Sequence, residues 1–188
     1  MSEADQQPLR NAIHLATGLA APWVLLMPDP WMRWGIVAMV VVALAIDLAR
    51  TVFGRAWLDR LLPGVYRDRE PLGLSGATFL TIGYLAAVWL FPPPAAAGGI
   101  LALAVGDPAA AVVGRWYGAR TGRPGKTWAG SVACCVACIP ALWLLSPFGL
   151  PAAAAGGAMA ALVERRAGPL DNVLVPVAVA MLLNLWVV

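Results

Sequence analysis

Residues 34–46, Trp-Gly-Ile-Val-Ala-Met-Val-Val-Val-Ala-Leu-Ala-Ile, carry no charge and lie within a longer apolar run, residues 32–49. The hydrocarbon core of a bilayer is about 30 Å thick, and a helix needs about 20 apolar residues to cross it. The run therefore predicts a membrane-spanning helix. Similar runs appear when the rest of the chain is cut at its charges and prolines. The seven predicted spans are residues 11–27, 32–49, 75–91, 96–117, 128–145, 151–165 and 172–188.

The composition indicates the same fold class. Of the 188 residues, 61% are hydrophobic and 12% are charged, whereas roughly a quarter of a soluble domain is charged. Such a chain has too little polar surface to coat a water-soluble globule. Residues 1–10 form a polar N-terminal segment, and the first apolar run lacks a small-residue cleavage pattern, so we expect that run to be retained. We predict one all-α domain over residues 1–188, a polytopic membrane helical bundle.

Basic residues are divided unequally between the two ends of the predicted spans. Lys and Arg near helix ends stay on the cytoplasmic side during insertion. If the N-terminus is cytoplasmic, residues 50–74 and 115–127 are cytoplasmic loops, and of the 13 basic residues only Arg33 lies outside. An odd number of spans then places Val188 outside. We therefore predict an integral protein of a prokaryotic cytoplasmic membrane, with its polar site facing the cytoplasm.

Asp107 lies inside the fourth predicted span, where an ionisable side chain is costly. Pro108 follows it, and proline cannot donate a backbone hydrogen bond and disturbs the preceding turn. We expect a broken helix at this point, and a broken helix beside a carboxylate is typical of a binding site in a membrane protein. The alternative is a carboxylate that pairs with an arginine and only holds the bundle together.

Residues 115–131 read Arg-Trp-Tyr-Gly-Ala-Arg-Thr-Gly-Arg-Pro-Gly-Lys-Thr-Trp-Ala-Gly-Ser, a basic, glycine-rich loop that runs into the fifth span. Glycines allow backbone N–H groups to approach phosphate oxygens, helix N-termini favour anions, and cationic side chains neutralise the remaining charge. Lys126 is the only lysine in the chain, and its flexible ammonium can follow a moving phosphoryl group; alternatively it is one more cytoplasmic charge. The candidate polyphosphate-binding residues here are Arg115, Arg120, Lys126, Thr127, Gly130 and Ser131.

A further polar cluster, Glu164, Asp171 and Asn172, lies at the cytoplasmic ends of the last two predicted spans. Hard oxygen ligands suit Mg²⁺, which typically binds one or two carboxylates together with substrate phosphates. By itself, Asp-Asn is an ordinary helix cap. The predicted topology, however, brings this cluster to the same membrane face as Lys126. Other charged candidates at that face are Arg10, His14, Asp47 and Arg50.

These motifs together resemble the membrane-bound polyprenol, phytol and diacylglycerol kinases, which generally use CTP. The similar motifs, in chain order, are Arg10-x-x-x-His14, Gly106-Asp107-x-x-Ala110-x-x-x-Gly114-Arg115-x-x-Gly118, Lys126-Thr-x-Ala-Gly130-Ser131, and Glu164 followed by Asp171-Asn172-x-x-x-Pro176. Ala129 is similar to the residue of phytol kinases and CTP-dependent diacylglycerol kinases, whereas dolichol kinases usually have glutamate there. Asn11 and Pro108 depart from the family, which often has lysine and a hydroxyl residue at those places.

The resemblance implies transfer of the γ-phosphoryl group of a nucleoside triphosphate, CTP favoured, to the hydroxyl of a membrane lipid alcohol such as phytol, polyprenol or diacylglycerol. The catalytic residues that it implies are Asp107, Lys126 and Asp171. The implied ligands of Mg²⁺ are Asp107, Glu164, Asp171 and Asn172, and Asn172 is also a candidate for nucleotide binding. Phosphoryl transfer needs positioning and charge neutralisation more than covalent help, so these side chains would suffice.

Two other classes of protein have part of this sequence pattern. A cytidylyltransferase of the CDP-diacylglycerol synthase type has a similar pattern but carries lysines near its end, and here no lysine follows Lys126. A small-solute transporter would also place Asp107 beside a broken helix, but the sequence shows no internal repeat and its polar groups gather at one face. Nothing predicts a nucleic acid partner. The lipid alcohol, the choice of CTP over ATP and a homodimer are left open.

Overall fold

The computed structural model describes residues 11–54, 73–121, 125–145 and 147–187, and these are helical with no strand. The helices are α1 (Asn11–Leu26), α2 (Trp31–Phe53), α3 (Gly76–Leu90), α4 (Pro93–Thr121), α5 (Trp128–Leu145), α6 (Leu150–Arg166) and α7 (Asp171–Leu183). Short 3-10 turns, Gly168–Leu170 and Asn184–Trp186, flank α7. The all-α prediction is confirmed. Arg10, the segment 1–10 and most of the loop 50–74 lie outside the described residues.

Three helical segments are long and apolar enough to cross a membrane: Trp31–Phe53, Pro93–Thr121 and Gly168–Trp186. The other helices are shorter, but each lies within one or two residues of a predicted span, because the charges and prolines that bound the apolar runs also bound the helices. Ser75, for example, caps α3 by accepting a hydrogen bond from the N–H of Thr78 at 3.2 Å. Large apolar side chains such as Leu19 and Val132 are exposed on the outer faces, as expected for lipid contact.

Helix α4 lies at the centre of the bundle and contacts α1, α3, α5, α6 and α7. Small residues permit this close approach: a Cβ added to Gly106 would lie 2.8 Å from the sulfurs of both Cys134 and Cys138. The predicted break at Pro108 is wrong, because α4 continues from Pro93 to Thr121. Packing against five neighbouring helices holds this helix together despite the one hydrogen bond that proline removes. The interruption occurs instead in α1, at a turn around Gly18.

Successive helices run in opposite directions, so the same end of the bundle collects alternate termini. His14 in α1 lies beside Asp107 in α4, and Lys126 before α5 meets the C-terminal part of α6 and the start of α7. We call this end the charged end. Its described basic side chains are Arg50, Arg115, Arg120, Lys126, Arg165 and Arg166. The opposite end has Arg33, which pairs with Asp29 at 3.0 Å.

Candidate functional site

A cavity of about 190 Å³ lies at the charged end, between α4, the loop before α5, α6 and α7. We call it the Lys126 cavity. Its walls combine small residues with charged ones, so backbone as well as side-chain groups are accessible. The residues that line it are Asp107, Ala110, Ala111, Gly114, Arg115, Gly125, Lys126, Thr127, Gly130, Glu164 and Asp171.

Three carboxylates from three different helices meet in this cavity. Asp107 comes from α4, Glu164 from the last turn of α6, and Asp171 is the first residue of α7. One oxygen of each lies within 4.8 Å of the others, and Glu164 is buried while the two aspartates are partly exposed. Oxygens that share a magnesium ion at about 2.1 Å are separated by roughly 3 to 4 Å. The donor atoms and their spacing therefore fit a hard divalent cation after a small side-chain adjustment.

Lys126 bridges two of these carboxylates. Its ammonium lies 2.8 Å from Glu164 Oε1 and 2.8 Å from Asp171 Oδ2, and it also donates to the backbone carbonyl of Glu164. Burial by itself would lower the pKa of Lys126, but the charges of Asp171 and Glu164 and their hydrogen bonds outweigh it and raise that pKa above its ordinary value. The side chain is therefore cationic at physiological pH.

Among the residues that the structure describes, acidic side chains outnumber basic ones in the cavity. Asp107, Glu164 and Asp171 are three carboxyl groups, while Lys126 and Arg115 are two basic groups. Two unit charges 4.8 Å apart interact by about 3.5 kcal/mol at an effective dielectric constant of about 20. Binding a further cation would relieve the repulsion among the carboxylates. Arg115 lines the same space, where a guanidinium can bind phosphate oxygens.

The loop before α5 is held by its own residues. Gly125 has φ of +95°, a conformation that glycine adopts without strain. Thr127 caps α5, because its Oγ1 accepts a hydrogen bond from the N–H of Gly130 at 3.1 Å. A Cβ on Gly130 would lie 2.9 Å from the carbonyl oxygen of Ala110. Gly130 thus permits α4 and α5 to approach closely, and its N–H is engaged in the cap rather than directed into the cavity.

Helix α1 brings an imidazole to the edge of the cavity. His14 is 5% exposed, and its Nδ1 lies 3.5 Å from Oδ2 of Asp107. The hydroxyl of Thr17 donates to the carbonyl of His14 at 2.9 Å and lies 3.4 Å from the hydroxyl of Tyr84. Thr17 and Tyr84 were not predicted from the sequence. Thr17 stands three residues after His14 and so shares a helix face with it, and a tyrosine inside an apolar span needs a hydrogen-bond partner.

Asp47 and Arg50 form a separate buried cluster. Oδ2 of Asp47 accepts hydrogen bonds from the N–H of Ser75 at 2.8 Å, from its hydroxyl at 3.1 Å and from the hydroxyl of Thr78 at 2.6 Å. Arg50 donates to the carbonyl of Gly73 and lies 3.8 Å from Asp47. These contacts fix the start of α3 against the end of α2. Neither residue lines the Lys126 cavity.

Three further predicted site residues, Asn172, Arg120 and Ser131, lie outside the lining of the Lys126 cavity. The amide of Asn172 donates to the carbonyl of Gly76 at 3.0 Å and ties α7 to α3. The guanidinium of Arg120 stacks 4.3 Å from the ring centroid of Trp116. The hydroxyl of Ser131 donates to the carbonyl of Thr127 at 3.3 Å. The predicted residues that the structure brings together are Asp107, Arg115, Lys126, Thr127, Gly130, Glu164 and Asp171, with His14 adjoining.

Comparison with known proteins finds no family model that matches the chain, no similar curated protein and no similar solved structure.

Proposed function

We propose that the protein is a membrane lipid kinase that transfers the γ-phosphoryl group of a nucleoside triphosphate, CTP favoured, to the hydroxyl of a long-chain lipid alcohol. The observation that carries this proposal is the meeting of three carboxylates with Lys126 and Arg115 in one cavity. Phosphoryl transfer depends on positioning the reactants and neutralising charge. Carboxylates that can hold a metal, beside two cationic side chains, are suited to both tasks.

Each group in the cavity has a role under this proposal. Asp107, Glu164 and Asp171 would hold Mg²⁺, which when bound neutralises phosphate oxygens. Lys126 would exchange its carboxylate partners for phosphate oxygens, and Arg115 would bind the same triphosphate. His14, packed against Asp107 on the side of α1, would orient the acceptor hydroxyl and take up its proton.

A groove between α1 and α2 supports a lipid acceptor. It encloses about 360 Å³. Among the residues that the structure describes, its lining is apolar or glycine except for Thr17: Ala16, Leu19, Ala20, Trp23, Gly35, Ile36 and Met39. Thr17 also bonds to the carbonyl of His14, so the groove and the Lys126 cavity are linked through the first turns of α1. We propose that the hydrocarbon chain lies in this groove and that its hydroxyl reaches His14 and Asp107.

The proposed location is a membrane crossed by all seven helices, with the charged end in the cytoplasm. Three helices are long enough by themselves, and shorter ones are accommodated by local thinning of the bilayer. The described basic residues support the orientation, because Arg33 is alone among them at the opposite end. The N-terminus would then be cytoplasmic.

The test is an assay of the purified protein with CTP labelled at either the α or the γ phosphorus, with ATP as competitor. Phytol, a polyprenol and diacylglycerol are supplied in turn as acceptors. A kinase places the γ label on the lipid and releases CDP. Entry of the α label with release of pyrophosphate would instead show a cytidylyltransferase, and transfer to none of these alcohols would refute the proposal.

A further inference from the structure

A second groove, of about 350 Å³, lies between α5 and α6 and shares no lining residue with the Lys126 cavity. Its walls are apolar and open to the surroundings: Val132 is 60% exposed and Leu162 is 45% exposed. Two arginines of the charged end, Arg165 and Arg166, close one end of it. We call it the α5–α6 groove.

The guanidinium of Arg165 is held in place by an aromatic ring. Its guanidinium carbon lies 3.8 Å from the ring centroid of Trp128, a cation–π contact that fixes the plane of the group. Its buried Nη1 has no hydrogen-bond partner among the residues that the structure describes. The stacking on Trp128 therefore places a fixed positive charge at one end of the groove.

The charge of the groove selects an anion. Arg165 and Arg166 line it, and among the residues that the structure describes no carboxylate does so. The neighbouring Glu164 lies on another face of α6 and pairs with Lys126. Ser131 also lines the groove, and its hydroxyl donates to the carbonyl of Thr127. Basic pockets between helices at the cytoplasmic side of a membrane bind the head groups of anionic lipids.

We propose that the α5–α6 groove binds one anionic phospholipid of the surrounding bilayer. Its phosphate would accept from Arg165 and Arg166, and one hydrocarbon chain would lie against Val132 and Leu162. The proposal rests on the membrane location given above and not on the kinase activity. Because Glu164 directly precedes Arg165, a lipid bound here would also steady the turn of α6 that supplies a carboxylate to the Lys126 cavity.

Native mass spectrometry of the purified protein in a neutral detergent tests this site. Phosphatidylglycerol and phosphatidylcholine are titrated separately, and we expect phosphatidylglycerol to bind at least about tenfold more tightly. The double variant Arg165→Gln/Arg166→Gln should weaken phosphatidylglycerol roughly 30-fold, since each basic residue near a head group contributes about fivefold. Arg120→Gln is the matched control, because Arg120 also stacks on a tryptophan at the charged end but lies outside the groove. It should leave the affinity unchanged.

A second variant keeps both arginines. Ala158 is an exposed residue of the groove wall, and Ala158→Phe fills the space for the chain, so we expect a similar loss even if the double arginine variant does not fold. Equal binding of the two lipids, or unchanged phosphatidylglycerol binding in both variants, would overturn the proposal. So would displacement of the lipid by millimolar inorganic phosphate, which would indicate an ion site. None of these outcomes bears on label transfer by the Lys126 cavity.

Discussion

Replacing Lys126 with methionine removes a positive charge from the cavity while keeping a flexible apolar side chain of similar length. In the wild type the ammonium donates to the carboxylates of Glu164 and Asp171, each at 2.8 Å. A hydrogen bond to a charged group contributes roughly 1.5 to 3 kcal/mol. The Lys126 side chain is 33% exposed, so solvent screening reduces the sum. We expect the free energy of unfolding at pH 7 to fall by about 2 kcal/mol.

The loss of stability in Lys126→Met should lower the unfolding midpoint, and magnesium should partly restore it. A change of 1 kcal/mol shifts the unfolding midpoint by roughly 2 to 4 °C for a chain of this length, so Lys126→Met should unfold about 4 to 8 °C lower. Magnesium should restore much of the difference, because a divalent cation replaces the ammonium as partner of the carboxylates. The wild type should gain less, since Lys126 already occupies two of them.

Thermal unfolding in detergent, with and without millimolar magnesium chloride, measures both effects. Arg120→Gln is the control: it removes an arginine at the same end that lies outside the cavity, and its midpoint should change little and should not depend on magnesium. An unchanged midpoint in Lys126→Met would refute the contribution of the ion pairs. A loss that magnesium fails to restore would refute the metal site.

Asp107→Asn should lower turnover by about 100-fold or more while the protein still folds, whereas Asp29→Asn at the opposite end should leave turnover unchanged. Initial rates measured with a lipid alcohol compare the two variants. Near-normal turnover in Asp107→Asn would leave that residue a packing role. The pKa of Lys126 is raised on folding, so its stabilisation is complete below the ordinary value of 10.5 and is lost as pH rises through the folded pKa. The stability difference between wild type and Lys126→Met should therefore shrink at strongly alkaline pH, which unfolding measured across that range can check. In a variant without the native cysteines, the thiol of Arg120→Cys should not react with a membrane-impermeant thiol reagent added outside spheroplasts. Reaction of this thiol from outside would invert the proposed orientation.

Much of the fold follows from the sequence, because apolar runs and their bounding charges determine where helices begin and end. The start of α6 was predicted at residue 151 and lies at Leu150, and the end of α5 was predicted at 145 and lies at Leu145. Rules based on local sequence failed at Pro108, which is buried among neighbouring helices in an α4 that continues through it. They also gave no sign of the turn in α1, since a single glycine such as Gly18 is tolerated in many helices.

The acidic core of the site was predictable, because an ionisable residue inside a span, such as Asp107, is costly and the alternating helices carry the polar span ends to one face. The sequence does not show which helices are neighbours, and so it could not separate Asp47, which bonds to Ser75, from the carboxylates of the cavity. Nor does it fix side-chain direction. Successive residues of a helix point about 100° apart, so Gly130 lines the Lys126 cavity while Ser131 lines the α5–α6 groove.

Whether a magnesium triphosphate occupies the cavity can be measured most directly at Lys126. It is the only lysine in the chain, so an amine-acylating reagent followed by peptide mass spectrometry reports on this one side chain. CTP with Mg²⁺ is expected to slow acylation of Lys126 by about tenfold or more, because the phosphates cover the ammonium and hold it charged. An acylation rate that stays the same at saturating CTP and Mg²⁺ would contradict a triphosphate site in this cavity.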